Sequence, residues 1–167
     1  MSHAFPVTIR RFEPADLATV RALIHRTIDA AYAGVYPPRA IRYFKDYHSL
    51  DALAERERVG GFLVVECGGC VIGTGAVVGD EITGVFIDPE HQGRGIGAVL
   101  MDRLEDMARI AGNDVATLYI SLPSRGFYER RGYEVLESGS LDVGGGERLD
   151  YWTARKSLLA PRVADSR

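Results

Sequence analysis

The sequence predicts a mixed α/β (α+β) fold: one mixed, mostly antiparallel sheet of about seven strands flanked by about four helices, in the order β-α-α-β-β-β-α-β-α-β-β. Three observations carry this. Short runs rich in β-branched residues, bounded by glycine turns, alternate with segments of helical period. Two-residue turns at Gly68-Gly69 and Gly79-Asp80 join three consecutive strands, which must then be antiparallel. A long amphipathic segment between Asp88 and Val115 makes a crossover, so the strands on either side of it should be parallel.

The elements follow in order. "VTIRRF" (Val7 to Phe12) is the first strand. A helix follows, with Pro14 and Asp16 in its first turn, Leu17, Val20, Ile24, Ile28 and Ala31 on one face, and Gly34 at its C′ position. "AIRYFKDY" and "SLDALAERER" read as short helices, the second capped by Ser49. Strands are expected at 61–66, 71–78 and 81–88. The next helix sets Ile96, Leu100, Leu104, Met107 and Ala111 against the core. Asp102, Arg103, Glu105, Asp106 and Arg109 fall mostly opposite, and Gly112 ends it. "VATLYI" is a strand, and "PSRGFYERRG" a short helix with Ser124 as N-cap and Gly132 at C′. "YEVLE" and "RLDYWTARKSL" are the last two strands. "GSLDVGGGE" between them reads as a loop, most mobile at Gly144–Gly146. Residues 1–159 are expected to form a single domain and 160–167 a flexible tail.

Composition limits the function. At 167 residues, 46% hydrophobic and 26% charged, with net charge −3, the chain is ordinary for one globular domain. No basic block or stripe appears, so neither nucleic acid nor an anionic membrane is expected as partner. No apolar run is long enough to span a bilayer and no signal-peptide core is present, so a cytoplasmic location is expected. Cys67 and Cys70 flank the Gly68-Gly69 turn, and no second pair or His spacing completes a zinc site, so no metal is expected. A homodimer is compatible with all of this.

The chemistry concentrates in "GVFIDPEHQGRGIGAVLMDRLEDMARIAG". Gly93, Gly95 and Gly97 sit between a strand and a helix, where backbone N–H groups and the helix dipole favour an anion. "GRGIGA" fits the dinucleotide fingerprint, but an antiparallel hairpin precedes it and no carboxylate ends the next strand. No G-K-[ST] follows for a P-loop.

Read from Gln92, "QGRGIG" after "VFIDPEH" resembles the signature of the GCN5-related N-acetyltransferases (GNAT), and "GFYERRGYEV" resembles a second segment of that family. The resemblance implies a GNAT-like sheet and an acetyl-CoA-dependent N-acetyltransferase, with the acetyl group passing directly to a primary amine in a ternary complex. It implies that Gln92, Gly93, Arg94, Gly95, Ile96 and Gly97 hold the pyrophosphate of acetyl-CoA. Val85, Phe86 and Ile87 would meet the pantetheine arm, and a backbone N–H near Phe86 or Ile87 would steady the thioester oxyanion. Tyr128 matches the family's general acid, and Glu81 the general base of some members; a solvated turn carboxylate, with a water chain as base, is the other reading of Glu81. Ser121 stands where many members have an Asn that touches pantetheine or the acyl carbonyl.

The acceptor is expected to be a small-molecule or protein amine. Tyr32, Tyr36, Tyr43 and Tyr47 with His48 either line its pocket or pack the helices. His25 and His91 show no ligand spacing. The alternative is a non-catalytic acyl-CoA-binding sensor on the same fold.

Overall fold

The computed structural model describes residues 6–159. The expected tail, 160–167, lies outside them. Alternation along one strand shows how the layers arise. In β2 (Gly61–Cys67), Phe62 and Val64 face one side of the sheet and Leu63 and Val65 the other, and all four are buried. A strand buried on both sides needs helices on both sides. One layer is α1 (Leu17–Tyr32), α2 (Pro38–Tyr47) and α3 (Leu50–Val59), whose apolar residues pack with Phe62, Val64 and Ala76. The other is α4 (Ile96–Ile110) and α5 (Arg125–Arg130), packed on Leu63, Val65, Ile72, Val77 and Ile82.

The seven strands are β1 (Val7–Arg11), β2, β3 (Cys70–Val78), β4 (Glu81–Ile87), β5 (Val115–Ser121), β6 (Glu134–Gly144) and β7 (Glu147–Ser157). Their order across the sheet is β1-β2-β3-β4-β5-β7-β6, antiparallel throughout except for β4 with β5. The expected parallel crossover through α4 is therefore present. Gly68 and Gly69 both have positive φ and join β2 to β3, with Cys67 opposite Cys70. No helix among the described residues is long and apolar enough to cross a membrane.

Several local expectations are corrected. Three helices precede β2, at the three segments read as helical but one more than the expected order α-α counts, so there are five among the described residues. Ala31 is exposed and Tyr32 takes its place against the core. Gly139–Glu147 is not a loop. β6 and β7 run on as a long hairpin, and only Gly145-Gly146, both at positive φ, make the turn. The polar residues there hold the ladder's outer face: Ser140 donates to Asp150 at 2.6 Å and Arg148 to Ser140 at 2.7 Å. Ser49 caps α3 through Ala52 N–H at 3.2 Å. Ser124 makes no side-chain cap and meets Ser121 instead, at 2.9 Å.

On α4, Ala111 is exposed and Met101 and Ala108 are buried. Glu105, placed by pattern on the polar face, is buried at 6% exposure. It accepts from Tyr133 at 3.1 Å, from Lys156 at 3.1 and 3.2 Å and from Arg131 at 3.3 Å. A buried carboxylate needs such partners, and they come from the α5–β6 turn and from β7, which no helical period reveals.

Candidate active site

The site begins where the sheet parts. β4 and β5 pair at one position, Glu81 opposite Thr117, where Thr117 N–H donates to Asp80 O at 2.9 Å. On their other sides both strands are fully engaged: β4 with β3 as far as Ile87, and β5 with β7 along its whole length. Past the single rung the two strands diverge, and their facing backbone groups have no strand partner. Gly84 sets the bend. Its φ is +62°, and the β3–β4 register shifts beside it, between Thr74 and Ala76. A Cβ there would stand 2.5 Å from a guanidinium nitrogen of Arg56, so only glycine fits.

On one side of this gap runs a groove of about 580 Å³ that reaches the glycine loop. Gln92, Gly93, Gly95, Ile96 and Gly97 line it, with Phe127, Arg130 and His91. Gly93 (φ +74°) and Gly95 (φ +79°) leave open space where a Cβ would stand, so backbone faces the groove. Gly95 is also the N-cap residue of α4, whose first-turn N–H groups lack carbonyl partners within the helix. Gly97 differs: its Cβ would lie 3.4 Å from the Phe127 ring, so it also lets α5 pack closely on α4. Gln92 Nε2 donates to Ile87 O at 2.9 Å and ties the loop to the end of β4. Arg26 of α1 ion-pairs with Asp88, which also accepts from Glu90 N–H at 2.9 Å. Arg94 is exposed and is not among the lining residues.

On the other side lies a cavity of about 320 Å³. Tyr43, Phe44 and Tyr47 of α2 form one wall, and Tyr119 of β5, Tyr151 of β7 and Leu141 of β6 the other, with Glu81 and Thr83 between. The groove and the cavity share Tyr32, Val85, Phe86, Ser124 and Tyr128, so they meet at the splay. Ser121 lines the cavity only, and Ile87 the groove only. Of the clustered tyrosines, three line the cavity. Tyr36 is a brace: it donates to Asp150 O and accepts from Leu122 N–H, both at 2.8 Å.

Burial dominates the electrostatics. It drives the Tyr128 phenol well above its ordinary value; Tyr32 adds to the rise and Arg131 opposes it. Tyr128 is therefore protonated at neutral pH. Burial also raises the Glu81 carboxyl, while Arg56 and Thr83 hold it back. His48 is pushed down to about 3 by burial, then by Arg56 and His25, so it is neutral. Its Nδ1 accepts from Arg56 at 3.3 Å, and its ring meets Phe86 edge-on at 5.2 Å.

Sequence reading missed Arg56, and it left His48 among the aromatics. Their partnership spans a helix-to-helix turn and carries no local pattern. Gly84 was legible in principle: a glycine inside a strand marks a bulge or a close approach.

The profile of the Acetyltransferase (GNAT) family matches residues 22–133. The chain belongs to that family. An IAA acetyltransferase of Azospirillum brasilense is 32% identical over 112 residues, 64% of this chain and 68% of the relative. An uncharacterized N-acetyltransferase of Methanocaldococcus jannaschii is 35% identical over 60 residues, 34% of this chain and only 26% of the relative. The crystal structure of a GCN5-related N-acetyltransferase from Rhodopseudomonas palustris superposes with TM-score 0.83 at 25% identity, over 94% of this chain and 98% of that one. PaiA N-acetyltransferase of Thermoplasma acidophilum, solved in complex with coenzyme A, shares the fold at TM-score 0.75 and 19% identity, over 91% of this chain and 99% of that one. In this GNAT chain the two signature segments are thus the glycine loop and the stretch that holds α5, and both contribute residues to the groove.

Proposed function

We propose that the protein is an acetyl-CoA-dependent N-acetyltransferase that passes the acetyl group directly to a primary amine. The observation that carries this is the single-rung splay, with a backbone-lined groove on one side, an aromatic cavity on the other, and Tyr128 common to both. The coenzyme A bound by the Thermoplasma acidophilum relative supports the same ligand here.

The pyrophosphate lies against the backbone of Gly93, Gly95, Ile96 and Gly97, where N–H donors and the α4 dipole favour negative charge. Gln92 shapes the loop, and Arg94 adds charge from its exposed rim. The pantetheine arm lies in the gap along Val85, Phe86 and Ile87, whose bare backbone edge supplies the partners a neighbouring strand would have given. Ser121, at the end of β5, closes the gap beside Ser124.

The acceptor enters as an ammonium and must lose a proton before attack. Glu81 takes it, directly or through water; its raised pKa strengthens it as a base. The amine nitrogen then bonds to the thioester carbon, and backbone N–H groups near Phe86 and Ile87 hold the oxyanion. The C–S bond breaks, Tyr128 gives its proton to the departing thiolate, and the proton that the nitrogen sheds on becoming an amide returns to the Tyr128 phenolate, directly or through water. The products are the acetylated amine and coenzyme A.

The test is calorimetry with acetyl-CoA, followed by thiol release on adding amines. Saturating acetyl-CoA with neither heat nor a melting shift would overturn the reading. Binding with no thiol release on any amine would leave a sensor on the same fold.

A further inference from the structure

The acceptor cavity has an unusual balance of charge and aromatic surface. Of its lining residues, Glu81 alone carries a formal charge at neutral pH, since His48 is neutral. Aromatic rings enclose the rest. Tyr43 and Tyr47 stand 43% and 48% exposed at the mouth. Phe44 packs on Tyr32 at 4.7 Å deeper in, and Tyr119 meets Tyr151 at 5.8 Å on the far wall. Among the described residues, no Lys or Arg lines the cavity. The nearest cation, Arg56, is buried behind Gly84, engaged by His48, and draws on Glu81's charge as well.

We propose that the acceptor is a primary amine carried on an aromatic body, with no carboxylate beside the amine. This rests on the acetyl-transfer reading above and names the substrate class for its cavity. The ammonium meets Glu81, the only opposite charge within reach, and the surrounding rings favour a cation over an anion. The aromatic body gains offset and edge-on contacts with the tyrosine walls. The volume is at the small end for a ligand cavity, commonly about 300–1,000 Å³, which suits a single ring on a short chain. An α-carboxylate would be desolvated with no cation to receive it, and would face Glu81 at short range.

The experiment measures kcat/KM at saturating acetyl-CoA, by thiol release, for five acceptors: 2-phenylethylamine, L-phenylalaninamide, L-phenylalanine, spermidine and a tripeptide with a free N-terminus. The expected order places 2-phenylethylamine first, about 10²-fold above L-phenylalanine, with the amide between them because it keeps the bulk and loses the charge. Spermidine and the tripeptide fall below 2-phenylethylamine. Equal or better use of L-phenylalanine, spermidine or the tripeptide overturns the proposal.

Tyr43→Ala and Tyr47→Ala, both at exposed positions, should each raise KM for 2-phenylethylamine by about tenfold and leave KM for acetyl-CoA unchanged. An unchanged amine KM in both variants also overturns it. Calorimetry with acetyl-CoA separates the two layers. Binding together with a different preferred acceptor sinks only the substrate class; no binding sinks the acetyl-transfer reading and the substrate class with it.

Discussion

The groove and the cavity are neighbours built by different means. The groove ends on main chain: at its glycine loop Gly93 and Gly95 present bare backbone, and α4 begins there. The cavity is made of side chains from α1, α2, α5 and four strands, β4 to β7. Backbone surfaces are fixed by conformation, so one compact motif specifies them. Side-chain surfaces depend on which distant segments the fold brings together. The groove should therefore respond to substitutions that alter φ or local charge, and the cavity to substitutions that alter shape and protonation.

The sharpest test of that division is Tyr128, which belongs to both. Tyr128→Phe removes one hydroxyl from a fully packed ring. We expect kcat to fall by about 10²–10⁴-fold, with acetyl-CoA affinity held in calorimetry. Wild-type kcat where chemistry limits the rate would return Tyr128 to the core. Gly95→Asp attacks the groove alone. It forces a side chain into the left-handed region and sets a carboxylate where phosphate would lie, so Kd for acetyl-CoA should rise by about 10³-fold. A variant that binds normally would move the phosphate site elsewhere.

Glu81→Gln probes the cavity side. At neutral pH kcat/KM should drop by about 10²-fold and recover at high pH, where free amine is abundant. Its stability effect has the opposite sign. Burial raises the folded-state pKa of Glu81, so the native protein holds that proton more tightly than the unfolded chain. Stability is then lost as pH rises through the carboxylate range and beyond. Glutamine escapes this cost, and the variant should melt above wild type at pH 7 and converge with it below about pH 4. A lower melting point at pH 7 would mean that Arg56 gains more from Glu81 than burial takes away.

The smallest effect serves as control. Arg10 donates to Asp16 at 2.8 and 2.9 Å and to Glu66 at 2.9 Å, far from both chambers. Arg10→Ala should cost about 1–2 kcal/mol in denaturant melts and leave kinetics unchanged. Asp16 is held below its ordinary pKa, first by Arg10. Its stabilisation is therefore complete above about pH 4 and fades as pH falls through the lowered value. A variant whose acid unfolding matches wild type would detach Asp16 from that pairing.

The same contrast explains what the sequence revealed. Strand alternation, the two glycine turns and the α4 crossover are local patterns, and the sheet followed from them. The glycine loop, Gln92 to Gly97, is six residues of local conformation, and its place between a strand and a helix is legible in the sequence. Only the outer part of the β6–β7 hairpin, Gly139–Glu147, reads as a loop, because Ser140, Asp142 and the glycines have poor strand character; their ladder depends on partners across the hairpin. Glu105 and Arg56 are buried charges with no local signature: the partners of Glu105 are remote in sequence, and Arg56 meets His48 across a turn between two helices. The four tyrosines were legible as a cluster, but not their division, with Tyr36 as brace and the others as wall.

The single rung between Glu81 and Thr117 also bears on motion. One ladder contact joins the β1–β4 half of the sheet to the β5–β7 half, whereas every other neighbouring pair is laced along much of its length. The layers above and below must hold the seam shut. Amide protons along β4 that face it have no acceptor from β5, so they should exchange with solvent early while those locked to β3 persist. A guest lying in the seam would stitch the halves together, slowing exchange on both flanks at once. The gap is in this sense an unfinished sheet, one whose rigidity a ligand lying in place of the missing strand would complete.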